Sequence, residues 1–363
     1  MRILILGCGV GGLVAANELR KKLGKEHKIT VVDRKVGYEF TPSYLWLMMG
    51  WREPRQITRD LNLLSRKGIK YINNEVLKID PANRLVKTKT GDLAYDFLVV
   101  AMGAELAPET VPGLTDAAHT FYDLEAAMAT REAIRRFSGG KVTITIASTP
   151  FRCPAAPYEA ALLMDYGFRT RGIRDKVDFQ LFTPEPLPMP VAGPAIGNLI
   201  KQMLEARGIE FHPGFKPVSI DSKNKEISFE KGERYRYDFL VAVPPHRSPS
   251  AVKESDLTDG GAWIPVEKRS LKTRHPEIYA IGDVAGIKLF DGMMLPKAGV
   301  FAHSQAAVVA SNIAAEVNGS GARREFDGKG SCWIEAGFGK AGFASGEFYS
   351  EPRVVNVKWP GVR

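Results

Sequence analysis

Three cysteines occur in this 363-residue chain, at positions 8, 153 and 332, and the setting of the second carries the most chemistry. An apolar, β-branched run at 142–147 leads into Ser148-Thr-Pro-Phe-Arg152-Cys153-Pro-Ala-Ala-Pro157-Tyr158-Glu159. Pro154 and Pro157 stiffen that turn and remove N–H donors, so it suits a sulfur better than a phosphate. A partly exposed thiol beside Arg152 has the electropositive setting of a reactive thiolate, and redox work is the reading taken for Cys153 over that of a small buried hydrophobe. Glu159 is either a proton acceptor near that sulfur or a carboxylate complementing a helix start. Cys332, in Gly328-Lys-Gly-Ser-Cys332-Trp333-Ile-Glu335, reads as part of a flexible approach to a strand and by itself decides nothing. No two cysteines share a CxxC spacing, so neither a zinc nor an iron–sulfur site is expected. With no leader read ahead of the first strand, the low, odd count argues against a secreted disulfide scaffold, and any bridge is expected to be a working one.

The elements that must position these groups begin with the opening run, Met1-Arg-Ile-Leu-Ile-Leu-Gly7-Cys8-Gly9-Val10-Gly11-Gly12. A strand enters Gly7-x-Gly9-x-x-Gly12, a helical pattern follows, and a second strand at 28–33 ends on Asp33, with Arg34 next. That is a complete βαβ dinucleotide fingerprint, with glycines for a tight turn, backbone approach to a pyrophosphate and close helix packing, and an acid placed for a ribose hydroxyl. Cys8 occupies an unconstrained position of the loop and is expected to be structural. Far downstream, Tyr279-Ala-Ile-Gly282-Asp283 reads as a strand whose terminal carboxylate accepts from a ribityl hydroxyl.

A hydrophobic content of 44% with 25% charged residues is that of a globular protein, and the length suggests two to three domains. The formal net charge of +9 favours anionic ligands or an acidic lipid face. Its basic residues are scattered, with no Lys/Arg block or aromatic interleaving, so no nucleic-acid partner is expected. No apolar stretch is long enough to span a bilayer, and the run at 44–51 reads as a core or pocket wall before a membrane contact. Helices are expected at 124–137, 195–206 and 299–317, strands at 142–147 and 177–182, and β-meanders that include 76–80, 84–88 and 95–101. Tyr237-Asp-Phe-Leu-Val echoes Tyr95-Asp-Phe-Leu-Val, which suggests two related folds. The fold class expected is α/β, with two Rossmann-like dinucleotide-binding domains, the second inserted in the first, plus a short C-terminal region. Residues 1–110 and 245–320 form the first domain, 111–244 the insertion lacking GxGxxG, and 321–363 a strand region carrying Cys332.

Several further segments complete the pattern: Phe40-Thr-Pro42-Ser43-x-x-Trp46-x-x-x-Gly50, Val243-Pro-Pro-His246 and Leu295-Pro-Lys297-Ala298-Gly299-Val-Phe-Ala-His303. With the glycine loop, Gly282-Asp283, the Cys153 loop and Cys332, the chain resembles two-dinucleotide-binding-domain flavoproteins. More narrowly, it is similar to the sulfide:quinone oxidoreductase and flavocytochrome c sulfide dehydrogenase group. The resemblance implies FAD, non-covalent because no cysteine stands apart from the three above. It implies that the cofactor is held by Gly7, Gly9, Gly11, Gly12, Asp33, Arg34, Pro42, Ser43, Val76, Ala101, Met102, Gly103, Gly282, Asp283, Lys297, Ala298 and Gly299. It further implies that Cys153 and Cys332 are a redox pair taking up sulfide, served by Glu159 and by Lys297, which with the following helix N-terminus stabilises the reduced ring; an ordinary surface lysine is the alternative. Quinone is the acceptor expected, with Phe40, Trp46 and Trp333 as apolar walls, and a soluble carrier protein also fits. A cytoplasmic location, peripheral membrane contact and a homodimer are compatible with the pattern. His303 is read as a core histidine, and His246 has no role assigned.

Two departures from the group stand out. Quinone-using members usually carry a third cysteine, and none lies between 9 and 152; they also usually finish with amphipathic helices, where 347–359 here reads as a strand or tail. Two rival readings remain. A type II NADH dehydrogenase or related pyridine-nucleotide-disulfide enzyme needs glycines after Ala147, and a flavin subunit serving a haem protein needs that partner.

Overall fold

The computed structural model describes residues 1–359. Five parallel strands form the first sheet, in the spatial order Ile278–Ala280, Phe97–Val100, Arg2–Leu6, Lys28–Asp33, Lys70–Asn73. Ile3 to Leu6 are all buried, which is why the first strand reads as a continuous apolar run rather than an alternating one. The helix Val10–Lys22 connects the first two strands and packs against the long helix Gly299–Asn318. Arg20, Lys21 and Lys22 in its last turn complement the negative end of its dipole.

The intervening chain builds a second parallel sheet in the order Ile209–Pro213, Val177–Thr183, Gly140–Ile146, Phe239–Val243. The expected α/β architecture with two Rossmann-like sheets is therefore the one observed, and the helices Leu124–Arg136 and Pro194–Glu205 fall where the periodicity put them. The chain's two crossings between the sheets lie side by side, Glu105–Leu106 pairing antiparallel with His246–Arg247.

The third meander strand was misplaced by sequence. The antiparallel meander consists of Val76–Asp80, Leu85–Thr88 and Gly91–Ala94, whereas Phe97–Val100 belongs to the parallel sheet beside Arg2–Leu6. Gly91 and Asp92 disguise a short edge strand, while Leu98, Val99 and Val100 are buried as a central strand requires.

A three-stranded antiparallel sheet, Lys329–Gly337, Lys340–Glu347 and Val354–Lys358, lies toward the C-terminus. It packs on the helix Ala156–Thr170 of the second sheet's layer and also touches Gly299–Asn318. Residues 360–363 of the expected C-terminal region lie outside the described residues. Among the described residues, no helix is long and apolar enough to cross a membrane.

Candidate active site

The glycine loop has the geometry that its spacing dictates. Gly7 adopts φ +91°, its N–H donates to Val32 O at 2.8 Å, and a Cβ there would run into the Ala101 carbonyl oxygen. Gly11 and Gly12 are buried in the first turn of Val10–Lys22, and a Cβ on Gly12 would overlap the Gly7 carbonyl. Gly9 is the helix N-cap, carries no capping side chain, and has no heavy atom within 4 Å of the place a Cβ would occupy. Open space in front of an uncapped, positive helix end fits an anionic pyrophosphate. Asp33 braces the loop as well: Oδ2 accepts from Cys8 N–H at 2.6 Å and Oδ1 from Lys35 N–H at 2.8 Å. Cys8 is buried, and burial together with Asp33 pushes its thiol up to about 12, the state of an inert sulfur.

One cleft is lined by Gly7, Asp33, Arg34, Val76 and Met102 together with Asn74, Glu105 and Ser250. Arg34 reaches Glu105 at 3.2 Å, and Ala101 and Gly103 (φ +70°) flank Met102 beneath it. A second recess gathers Gly282, Lys297 and Ala298 with Leu295 and Gln305, whose side chain accepts from Gly282 N–H at 2.7 Å. Gly299 opens the helix Gly299–Asn318, whose N-cap, Ala298, also lacks a capping side chain. Pro42 and Ser43 form the turn Thr41–Ser43 and line neither space.

The sulfur site is assembled from three segments. Cys153 sits at φ +56°, an uncommon backbone state for a residue with a Cβ, because its N–H donates to Lys297 O at 2.7 Å while its C=O accepts from Ala156 N–H at 2.9 Å. The first bond ties the cysteine to the Lys297 segment of the first domain; the second starts the helix Ala156–Thr170. Glu159, in that helix's first turn and only 6% exposed, accepts from Glu335 N–H at 2.8 Å. Glu335 lies on Lys329–Gly337, the strand that carries Cys332, so one carboxylate joins the two cysteine-bearing elements.

Both cysteines feel the charge of Glu159. Burial, and then Glu159 and Cys332, hold the Cys153 thiol well above its ordinary range, against the lowering by Ala156 N–H and Arg152. Crowding by protein, and then Glu159, raises Cys332 to about 11. Burial lifts Glu159 itself to about 7, opposed by the Glu335 N–H. Both cysteines are free thiols. This corrects the expectation of a thiolate polarised by Arg152: that guanidinium is engaged by the Tyr122 carbonyl and lies over the Tyr122 ring, 5.5 Å from its centroid, and its effect is outweighed by burial. The flexible approach expected for Cys332 is also corrected, since the residue pairs with Ala344 in a regular strand.

Lys297 is no surface lysine. It is 4% exposed, donates to the Asp283 carbonyl oxygen, and places Nζ 3.4 Å from the centroid of the Trp263 ring. Burial lowers it to about 8, with Asp283 opposing, and burial in turn raises Asp283. Trp263 escaped sequence reasoning because the signal is tertiary: the strand that follows it, Ile264–Pro265, pairs with Ala285–Gly286 just beyond the Gly282 turn. Tyr122 and Glu185 were missed as well. Tyr158 Oη–H donates to Glu185 at 2.6 Å in a buried pair, and Tyr122 lies within electrostatic reach of Cys153, Glu159 and Glu185.

The three apolar wall candidates occupy different surroundings. Trp333 stands 62% exposed against Phe343 (ring centroids 5.0 Å apart), Phe40 is exposed, and Trp46 packs beside the core beneath Arg52, 5.0 Å from its ring centroid.

Two parallel sheets, a glycine cradle and two free thiols beside a buried carboxyl define a flavoprotein-type redox fold. Residues 1–310 match the family model described as pyridine nucleotide-disulphide oxidoreductase, and the chain belongs to that family. It is similar to the mitochondrial sulfide:quinone oxidoreductase of Dictyostelium discoideum, at 27% identity over 93% of this chain and 76% of the relative. It is also similar to the sulfide-quinone reductase of Aquifex aeolicus (strain VF5), at 26% identity over 87% of this chain and 76% of that one. The X-ray structure of the sulfide:quinone oxidoreductase from Aquifex aeolicus matches with a TM-score of 0.89 and 25% identity, covering 98% of this chain and 86% of that one. The protein is accordingly an oxidoreductase of that family, similar over most of its length to sulfide:quinone oxidoreductases.

Proposed function

We propose that the protein oxidises sulfide to sulfane sulfur through Cys153 and Cys332 and passes the electrons by way of non-covalently bound FAD to a quinone. The observation that carries this reading is the convergence of two thiols on one buried carboxyl, at the end of a dinucleotide-type strand that has no glycine loop.

Gly7, Gly9, Gly12 and Asp33 would hold the adenosine and pyrophosphate end of the cofactor; Gly282, Asp283, Lys297 and the N-terminus of Gly299–Asn318 would hold the ring end. When bound, FAD accepts an electron pair and hands it on to the acceptor. The protein's own groups do the rest. With the two cysteines joined, hydrosulfide attacks the exposed Cys332 sulfur; the S–S bond breaks, a persulfide forms on Cys332 and a thiolate leaves on Cys153. Closing the pair again around the extra sulfur releases one proton and two electrons. Glu159 takes the proton, since a carboxyl near 7 is matched to that task. Lys297, buried over Trp263, supplies a cation where negative charge would gather on the ring. Quinone is favoured as acceptor by the relatives' own activity, and the exposed Phe40 and Trp333 would offer it apolar surface at a peripheral membrane contact.

The test is anaerobic mixing of sulfide with Cys153→Ser and Cys332→Ser, each with FAD content measured. Loss of flavin bleaching in both, with FAD retained, is the expected result; bleaching retained in both would remove the mechanism.

A further inference from the structure

His246 and Tyr122 have no part in the mechanism above, yet each leaves a polar atom buried and unpaired, Tyr122 within electrostatic reach of Cys153 and His246 against the Tyr122 ring. His246 follows the strand Phe239–Val243, on the return crossing to the first domain. Its Nδ1 lies 2.8 Å from the Pro244 carbonyl oxygen, which can only accept, so Nδ1 carries the proton and Nε2 presents a lone pair. Nε2 is buried without a hydrogen-bond partner. Next to it, with rings edge to face at 5.1 Å, stands Tyr122, 5% exposed, whose hydroxyl is likewise buried and unpaired. Leaving two such atoms unmet costs on the order of 1–3 kcal/mol each, which a folded protein rarely accepts at two adjoining positions without a ligand or water.

The surroundings favour an anion. Arg152 lies over the Tyr122 ring, and both Arg152 and Lys297 impose positive charge on His246, which burial and these two cations keep neutral at about 3. Tyr122 is also within electrostatic reach of the Cys153 sulfur. Fittingly, a small anion that also carries one hydrogen to donate satisfies every group: its hydrogen goes to Nε2, its charge faces the two cations, and the Tyr122 hydroxyl donates to it. The opposing carboxyls are Glu159, Glu185 and Asp283, all with burial-raised proton affinity, which weakens their repulsion.

Resting on the function proposed above, we infer that His246 Nε2 and the Tyr122 hydroxyl form the binding site where hydrosulfide waits before it meets the cysteine pair. The site gives the substrate a hydrogen-bonding station in a region otherwise lined by protein, and it explains why a neutral histidine is kept within reach of two cations.

The experiment is steady-state and stopped-flow kinetics on the FAD-loaded enzyme with Tyr122→Phe, His246→Leu and His246→Gln, the last keeping a neutral acceptor. Expected is a rise of about tenfold in the KM for sulfide in the first two, the size of one lost hydrogen bond to an anion, with kcat changed less than about twofold and partial rescue in H246Q. FAD content and reoxidation of dithionite-reduced enzyme by a short-chain quinone stay at wild-type levels. An unchanged KM in both variants overturns the inference, as does loss of FAD, which would mean that the two atoms face the cofactor. Failure of the wild type itself to be bleached by sulfide would instead sink the proposed function.

Discussion

The two dinucleotide-type halves of the molecule share a frame down to single hydrogen bonds and part company most clearly at the carboxyl edges of their first two strands. In the first half, Asp96 N–H donates to Arg2 O and its carboxylate accepts from Arg2 N–H; in the second, Asp238 does the same with Lys141. The meander turns repeat as well: the Asp80 carboxylate accepts from the Asn83 backbone and side chain, and Asp221 accepts likewise from Asn224. Arg84 and Lys225 then take matching left-handed conformations, at φ +52° and +50°. Beyond the first strand of each half the likeness stops. One strand runs into Gly7 and Gly9 ahead of an uncapped helix whose first turn holds Gly12; the other runs through Ser148 and Pro150 to Cys153. The acids past the second strands diverge too, Asp33 bracing the glycine loop and Glu185 buried against Tyr158. The frame is reusable because its clamps lie away from the ligand edge, so chemistry can be exchanged there without disturbing the sheet.

Breaking the site that distinguishes the second half should have the largest effect. Glu159→Gln is expected to slow sulfide-driven flavin reduction by roughly 100-fold and to remove an acid limb centred near pH 7, read by stopped-flow rates across pH. The same variant should gain stability at alkaline pH. The folded chain holds the Glu159 proton more tightly than the unfolded chain, with about 7 against 4.5, so this group's contribution is full below about pH 4.5 and lost as pH rises through 7. At pH 8 the glutamine variant should therefore exceed the wild type by on the order of 3 kcal/mol in denaturant unfolding, and the gap should close in acid.

Attacking the first half instead should cost cofactor rather than sulfide chemistry. Gly12→Ala forces a Cβ onto the Gly7 carbonyl and is expected to lower FAD retention and to destabilise the holoprotein by about 1–3 kcal/mol, checked by flavin absorbance and thermal unfolding. Smallest and most alike should be the shared clamps: Asp96→Ala and Asp238→Ala are each expected to cost about 1–2 kcal/mol, Asp96 somewhat more because it also pairs with Arg2 at 2.7 Å. A large disparity between the two in urea unfolding would contradict the repeat.

Much of this was legible beforehand. Glycine spacing, the Tyr-Asp-Phe-Leu-Val echo and the apolar runs pointed to two related folds and to the strands at 2–6, 28–33, 142–147 and 177–182, since buried parallel strands announce themselves by continuous hydrophobicity. The edge strands Lys70–Asn73 and Ile209–Pro213 carried no such signal. The Cys153 loop announced itself by the glycines it lacks. What stayed hidden depends on contacts distant in sequence. Gly328-Lys-Gly-Ser reads as a loop, and only pairing with Lys340–Glu347 makes the Cys332 segment a strand. Arg152 promised a depressed thiol, but the sign of the shift is set by burial, which no local pattern records. Trp263 under Lys297, and the unpaired atoms of Tyr122 and His246, became visible only once the two halves were folded together.

The central claim is that the second half presents sulfur where a pyridine nucleotide would otherwise dock. Anaerobic mixing of the oxidised, FAD-loaded wild type with sulfide or with NADH, followed at the flavin absorbance band, tests it most directly. Prompt bleaching by sulfide and none by NADH is the predicted result; prompt bleaching by NADH with no response to sulfide would contradict the account.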